Sequence, residues 1–147
     1  MRVLFLCTGN SCRSQMAEGW LRHLAGRRFE ALSAGVDPDG LNPRAVRAMA
    51  EVGVDVSGQT SDPIGDYLDD PPDVVISVCD RAEKSCPVFP GNVRRLRWLF
   101  PDPAAATGTD EEVMGEFRAV RDAIRARIES WLAAGAPLDD EAVPAGD

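Results

Sequence analysis

Hydrophobic positions along this chain fall into two alternating rhythms. Residues 2–6 (RVLFL) and 73–79 (DVVISVC) are short apolar runs with little polar interruption, the pattern of strands buried on both faces of a parallel sheet. Residues 29–33 and 94–99 read as two further strands. Between the first two strands, Met16, Ala17, Trp20, Leu21 and Leu24 lie on one side of a predicted helix over 14–24. Asn42 followed by Pro43 starts a second helix and Gly53 stops it, bracketing RAVRAMAEV. Residues 111–133 carry Val113, Phe117, Val120, Ile124, Ile128 and Trp131 at three- and four-residue steps, an amphipathic helix whose stripe faces a core. Strands and helices in this order predict an α/β fold: a three-layer sandwich around a four-stranded parallel sheet.

The 147 residues, 44% hydrophobic and 27% charged, suit one domain over 1–135 followed by a disordered acidic tail over 136–147. Net charge is -8, and Asp139, Asp140, Glu141 and Asp147 in that tail supply four of the negative charges, leaving -4 for the rest. A mildly acidic body without a Lys/Arg stripe and interleaved aromatics is a poor nucleic-acid binder. The opening apolar run is too short for a signal peptide, and no segment reaches membrane-spanning length. The expectation is a cytoplasmic monomer.

In a reducing compartment the four cysteines, Cys7, Cys12, Cys79 and Cys86, are expected to be catalytic, metal-binding or buried rather than a disulfide framework. Their spacings match no zinc knuckle. The single histidine, His23, falls near an Arg-rich helix end and reads as a solvated or capping residue.

The chemistry gathers where the first strand ends. Cys7 stands at the carboxyl edge of the sheet, where open parallel sheets bind ligands. The segment Thr8, Gly9, Asn10, Ser11, Cys12, Arg13, Ser14 then turns into a helix. Its amides can form an anion-binding nest, with Gly9 and Asn10 accepting the unusual dihedrals this requires. The planar fork of Arg13 can grip two oxygens of a tetrahedral oxyanion, which phosphate or sulfate would also satisfy. The same surroundings stabilise a thiolate, making Cys7 a nucleophile beneath a bound oxyanion. Ser14 can both cap the helix and donate to the Cys7 sulfur. Cys79 ends a buried strand, so its sulfur is expected at the same sheet edge as Cys7.

The segments CTGNSCRSQMAEGW, SAGVDPDGLNPRAVRAMAEVGVDVSGQTSD and DPAAATGTDEE, with the Cys79 and Cys86 pair, resemble the arsenate reductases built on the low-molecular-weight protein tyrosine phosphatase fold. The resemblance spans roughly residues 1–133 and implies a detoxifying reduction of arsenate to arsenite. Phosphatase members of the superfamily use an aspartate in a late Asp-Pro motif as general acid, here Asp102 with Pro103. The aromatic wall that usually follows in tyrosine phosphatases is replaced by Ala104, Ala105 and Ala106, which suits a small inorganic anion. A phosphomonoester hydrolase is the alternative reading, and a thiol sensor built on Cys79 and Cys86 a third.

By this resemblance, Cys7 forms an arseno adduct with Asp102 assisting proton transfer. Cys79 then attacks Cys7 and releases arsenite, and Cys86 attacks Cys79, leaving a bridge that thioredoxin reduces. Cys12 has no step; it reads as a small residue packed under the loop, with a protective partner for oxidised Cys7 as the alternative. The resemblance further implies a potassium site at Asn10, Glu18, Ser33 and Asp62, for which direct hydrogen bonding among these residues is the competing account; no other cofactor is required. If residues 80–85 are helical in the reduced protein, Cys79 and Cys86 lie about 10.5 Å apart along the axis. A disulfide needs Cα atoms within about 7 Å, so the helix must unwind, with Pro87, Pro90 and Gly91 offering a hinge.

Overall fold

Val74, Val75, Ile76 and Ser77 are all buried, because this strand lies inside a sheet covered on both faces. The computed structural model describes residues 1–138. Four strands, β1 (Arg2–Cys7), β2 (Glu30–Gly35), β3 (Val74–Ser77) and β4 (Arg94–Arg97), run parallel in the order β2-β1-β3-β4. The helices are α1 (Arg13–Ala25), α2 (Pro43–Ala50), α3 (Asp80–Lys84) and α4 (Asp110–Ala133). Among the described residues no helix is long and apolar enough to cross a membrane.

Helices α2 and α4 are each started by a side-chain cap. Asn42 Oδ1 accepts the Arg44 N–H at 2.8 Å with Pro43 as first helical residue, starting α2. Thr109 and Glu112 make a reciprocal capping box that starts α4. The α4 stripe is buried against α1 and α2, and Trp20 Nε1 donates to the Arg121 carbonyl at 3.0 Å. Trp131, fully buried, meets Trp98 edge-on at 5.6 Å. Burial of each such side chain contributes about 1.5–3 kcal/mol.

The sheet order places the site. From β1 the chain moves to β2 on one side, whereas from β3 it moves to β4 on the other. The crevice between the carboxyl ends of β1 and β3 is therefore the topological switch point, where such sheets bind ligands. Leu6 is in register with Ser77, and the Val78 N–H donates to the Leu6 carbonyl at 2.9 Å, so Cys7 and Cys79 leave the sheet side by side.

At the far end, the Trp131 indole donates to the Pro137 carbonyl at 2.8 Å and Arg94 donates to that of Leu138 at 3.2 Å. Residues 136–138 are thereby fastened to the domain. The remainder of the expected tail lies outside the described residues.

Candidate active site

The loop after β1 is held by its carbonyls. Those of Cys7, Thr8, Gly9 and Ser11 accept the N–H groups of Val36, Asp37, Asp39 and Asn42 at 2.8–3.2 Å. The Asn10 carbonyl accepts Gln15 Nε2 at 2.9 Å and the Ser61 hydroxyl at 3.1 Å, and that of Cys12 accepts the first helical N–H, from Met16. Every carbonyl from 7 to 12 is thus turned into the scaffold. By contrast, none of the backbone N–H groups of residues 8–14 has an acceptor among the described residues. Unpaired amides on one concave loop constitute an anion-binding nest.

Asn10 takes the left-handed conformation, φ 46°, that lets the loop curl. Gly9, expected to share that role, does not have positive φ; its service is closeness, since a Cβ there would lie 3.2 Å from Asp39 Cβ. Gly35, at the end of β2, is more constrained. An added Cβ would stand 2.9 Å from the Thr8 oxygen and from Asn10 Cβ.

Cys7 is 3% exposed, and its Sγ lies 2.9 Å from Ser14 Oγ. Ser14 donates its single hydroxyl hydrogen to Asn10 Oδ1 at 2.8 Å, so toward Cys7 it is the acceptor of the thiol and not, as the sequence suggests, the donor. Across the crevice, Cys79 Sγ lies 3.3 Å from Thr8 Oγ1 and accepts the Ala82 N–H at 3.3 Å. Thr8 and Cys7 are chain neighbours, so both sulfurs front the same opening. Cys7, Thr8, Gly9, Ser11, Cys12, Arg13, Cys79 and Asp102 line one cavity of about 510 Å³. Asn10 and Ser14 are buried behind it. Cys86 is half-buried, beyond the end of α3.

Arg13 donates from Nη1 to the Phe100 carbonyl at 3.0 Å, and its Nη2 lies 3.9 Å from Asp102 Oδ2. The guanidinium is held at the cavity wall by these contacts. Asp102 caps the short turn Pro103–Ala105 through the Ala104 N–H at 3.0 Å, and it also lines the cavity, so capping and site roles coexist. Burial, first of all, pushes the Cys12 thiol up to about 11, keeping it neutral beneath the loop. His23, exposed in the last turn of α1, stands edge-on to Trp20 and outside the cavity.

Sequence reasoning missed several contributors. Asp37, Asp39, Asp80 and Arg81 form part of the cavity lining; the carboxyl-edge rule applied to the end of β2 would have found the first two. Phe100, which positions Arg13 through its carbonyl, left no signal in residue type.

Behind the loop, Glu18, Ser33 and Asp62 border a second cavity of about 440 Å³. Ser33 donates to Glu18 Oε1 at 2.6 Å, Arg22 pairs with the other Glu18 oxygen, and Thr60 donates to Asp62 at 2.7 Å. Burial raises the Glu18 carboxyl, with Asp62 adding to the shift against the opposing Ser33 and Arg22 bonds. Asn10 Nδ2 is buried without a partner, while its Oδ1 accepts the Ser14 hydroxyl. The oxygens of Glu18, Ser33 and Asp62 bordering this cavity are donors of the kind that suit a hard cation.

The sequence pattern of the family described as low molecular weight phosphotyrosine protein phosphatase matches residues 2–142. An arsenate reductase of Halalkalibacterium halodurans is 50% identical over 133 residues, covering 90% of this chain and 96% of its own. A solved structure of an arsenate reductase in the phosphate binding state superposes with a TM-score of 0.71 at 38% identity, covering 90% of this chain and 96% of that one. The Corynebacterium glutamicum thioredoxin-dependent arsenate reductase gives 0.66 at 28% identity, covering 90% and 62%. Fold, loop and these likenesses together identify the chain as a member of the low molecular weight phosphotyrosine protein phosphatase family, standing among its arsenate reductases.

Proposed function

We propose that this protein reduces arsenate to arsenite through a Cys7, Cys79, Cys86 relay, with thioredoxin as electron donor. The observation that carries the reading is the row of unpaired amides over residues 8–14 with two sulfurs, Cys7 and Cys79, at its mouth. Such a nest selects a tetrahedral oxyanion. A second thiol beside the first serves a reduction and has no use in hydrolysis.

The Cys7 thiolate attacks arsenic, and an oxygen leaves as water with a proton delivered by Asp102, giving a Cys7–S–As(V) adduct. Arg13 and the loop amides hold the remaining oxygens, and Ser14 attends the sulfur. Cys79 thiolate then attacks Cys7 Sγ. The S–S bond forms as the S–As bond breaks, and its electron pair leaves with arsenic as arsenite, As(III). Cys86 thiolate attacks Cys79 Sγ and expels Cys7 as thiolate, so the oxidation rests on Cys79–Cys86, from which a dithiol protein takes it by exchange. Asn10, Glu18, Ser33 and Asp62 would hold a potassium ion, which would supply charge compensation to the Glu18 and Asp62 carboxylates behind the loop.

Arsenate-dependent oxidation of a nicotinamide donor through thioredoxin reductase and thioredoxin tests the reading, with p-nitrophenyl phosphate cleavage in parallel. Arsenate turnover far exceeding phosphatase turnover is expected. The reverse would favour the hydrolase reading, for which Asp102 in the cavity wall is the supporting observation. Titrating potassium against sodium in the same assay tests the cation: a flat response removes it.

A further inference from the structure

The surface around Cys86 has a charge opposite to that of the chain. Residues 80–97 contain five cations, Arg81, Lys84, Arg94, Arg95 and Arg97, against the two acids Asp80 and Glu83. That is a net +3 in a chain of net -8. Elsewhere arginines are mostly neutralised: Arg2, Arg22, Arg44, Arg47, Arg118, Arg121 and Arg125 all sit in ion pairs. Arg81, Arg94 and Arg95 make none among the described residues, and Asp80 is shared between Lys84 and Arg97. Within the described residues, this acidic protein leaves Arg81, Arg94 and Arg95 without a carboxylate.

The patch also has a fixed part and a greasy part. Arg94, Arg95 and Arg97 are exposed on β4, the edge strand that pairs only with β3, so they stay in place whatever the segment after α3 does. Arg95 Nη2 reaches the Cys86 carbonyl at 3.5 Å, tying this edge to the half-buried thiol. Two residues beyond Cys86, Val88 is 88% exposed while Phe89 anchors the loop inward. A lone aliphatic knob beside a thiol, framed by cations, is the make-up of a transient contact surface rather than of a solvated loop.

We propose that the β4 edge and the Cys86 loop form the docking surface for the electron donor, and that this donor is a dithiol protein with an acidic face around its reactive thiol. The inference rests on the thioredoxin-coupled reading above and names the chemistry by which that partner is recognised. Cationic β4 steers the acidic partner, and Val88 supplies the apolar contact. The partner's thiolate attacks Cys86 Sγ, the more accessible sulfur of the Cys79–Cys86 bridge, and Cys79 leaves as thiolate. The partner's second thiolate then resolves the mixed disulfide, Cys86 leaves as thiolate, and both take protons from solvent. Two electrons pass, and the partner ends as an intramolecular disulfide.

The test uses the full chain with Cys79 and Cys86 bridged by one arsenate turnover without reductant. Its reduction is timed with an acidic thioredoxin as probe and, separately, with the neutral small molecule dithiothreitol. With thioredoxin, the second-order rate constant is expected to fall about tenfold between about 20 and about 300 mM salt, as steered association does. An Arg94→Glu/Arg95→Glu double variant is expected to lose about tenfold at low salt, and Val88→Asp a similar factor, with dithiothreitol rates unchanged. Charge reversal keeps the edge strand charged, so a role confined to blunting that edge predicts no loss. Thioredoxin rates indifferent to salt and to both variants would overturn the docking surface alone, as would equal losses with dithiothreitol. A bridge that thioredoxin never reduces, while dithiothreitol sustains arsenate turnover, would overturn the thioredoxin-coupled reading itself.

Discussion

Cys79 Sγ accepts the N–H of Ala82 at 3.3 Å, so the second cysteine of the proposed relay is also the cap of α3. A sulfur drawn into a disulfide gives up this post, and a five-residue helix has little else to hold its first turn. Bridging Cys79 to Cys86 is therefore expected to raise amide exchange across 80–92 while the sheet is unchanged. Cys86→Ala treated with arsenate is expected to accumulate a Cys7–Cys79 disulfide, read by peptide mapping. Equal protection in both redox forms, or no trapped species, would contradict the relay.

On the proposed mechanism, loss of the nucleophile or of its anion grip separates from loss of the relay. Cys7→Ser and Arg13→Ala are expected to lower both arsenate reduction and p-nitrophenyl phosphate cleavage by about a hundredfold or more. Ser14→Ala, which removes the hydroxyl 2.9 Å from the nucleophile, should slow both by a smaller factor.

Cys79→Ser and Cys86→Ser are expected to abolish multiple-turnover reduction and to spare phosphatase activity. Steady-state assays of both activities on the same preparations decide it. A parallel loss of the two would make these cysteines structural.

Cys12, held neutral up to about pH 11 by burial, is expected to be alkylated about two orders of magnitude more slowly than an exposed thiol at pH 8. Mass spectrometry after timed iodoacetamide labelling checks the order of modification. Labelling of Cys12 should accelerate on unfolding or as pH approaches 11.

Acid stability should depend on the contact between α2 and α4. Arg118, and after it Arg121, hold the Glu51 carboxyl down to about 2, from an ordinary value near 4.5. A carboxyl depressed in the folded state adds stability above its unfolded value, and that addition fades as pH falls from about 4.5 towards 2. Glu51→Gln is expected to lower Tm at pH 7 by about 2–4 °C, and to flatten the decline between pH 4.5 and 2. A melt that keeps the wild-type acid slope would place the titration elsewhere.

What the sequence made legible was whatever depends on period and local chemistry. The α4 stripe gave an element within one residue of its observed start, and the patterned runs gave all four strands. Their ends were less legible: β3 stops at Ser77 and β4 at Arg97, short of the apolar residues that follow, because hydrophobicity continues into the crevice after pairing ends. In the site, Cys7, Arg13, Ser14 and Cys79 could be placed because the loop is contiguous and the sheet edge is common to both strands. Thr8 as the neighbour of Cys79, Phe100 as the anchor of Arg13, and Arg22 as the partner of Glu18 could not. Each depends on where a distant segment passes, and that is a property of packing.

The crowding at Gly35 has one more consequence. With the end of β2 packed against Thr8 and Asn10, the anion loop has no slack of its own and cannot loosen without the sheet. An oxyanion bound there stabilises the whole domain by mass action, so the melting temperature of the reduced protein becomes a gauge of how much tetrahedral anion surrounds it.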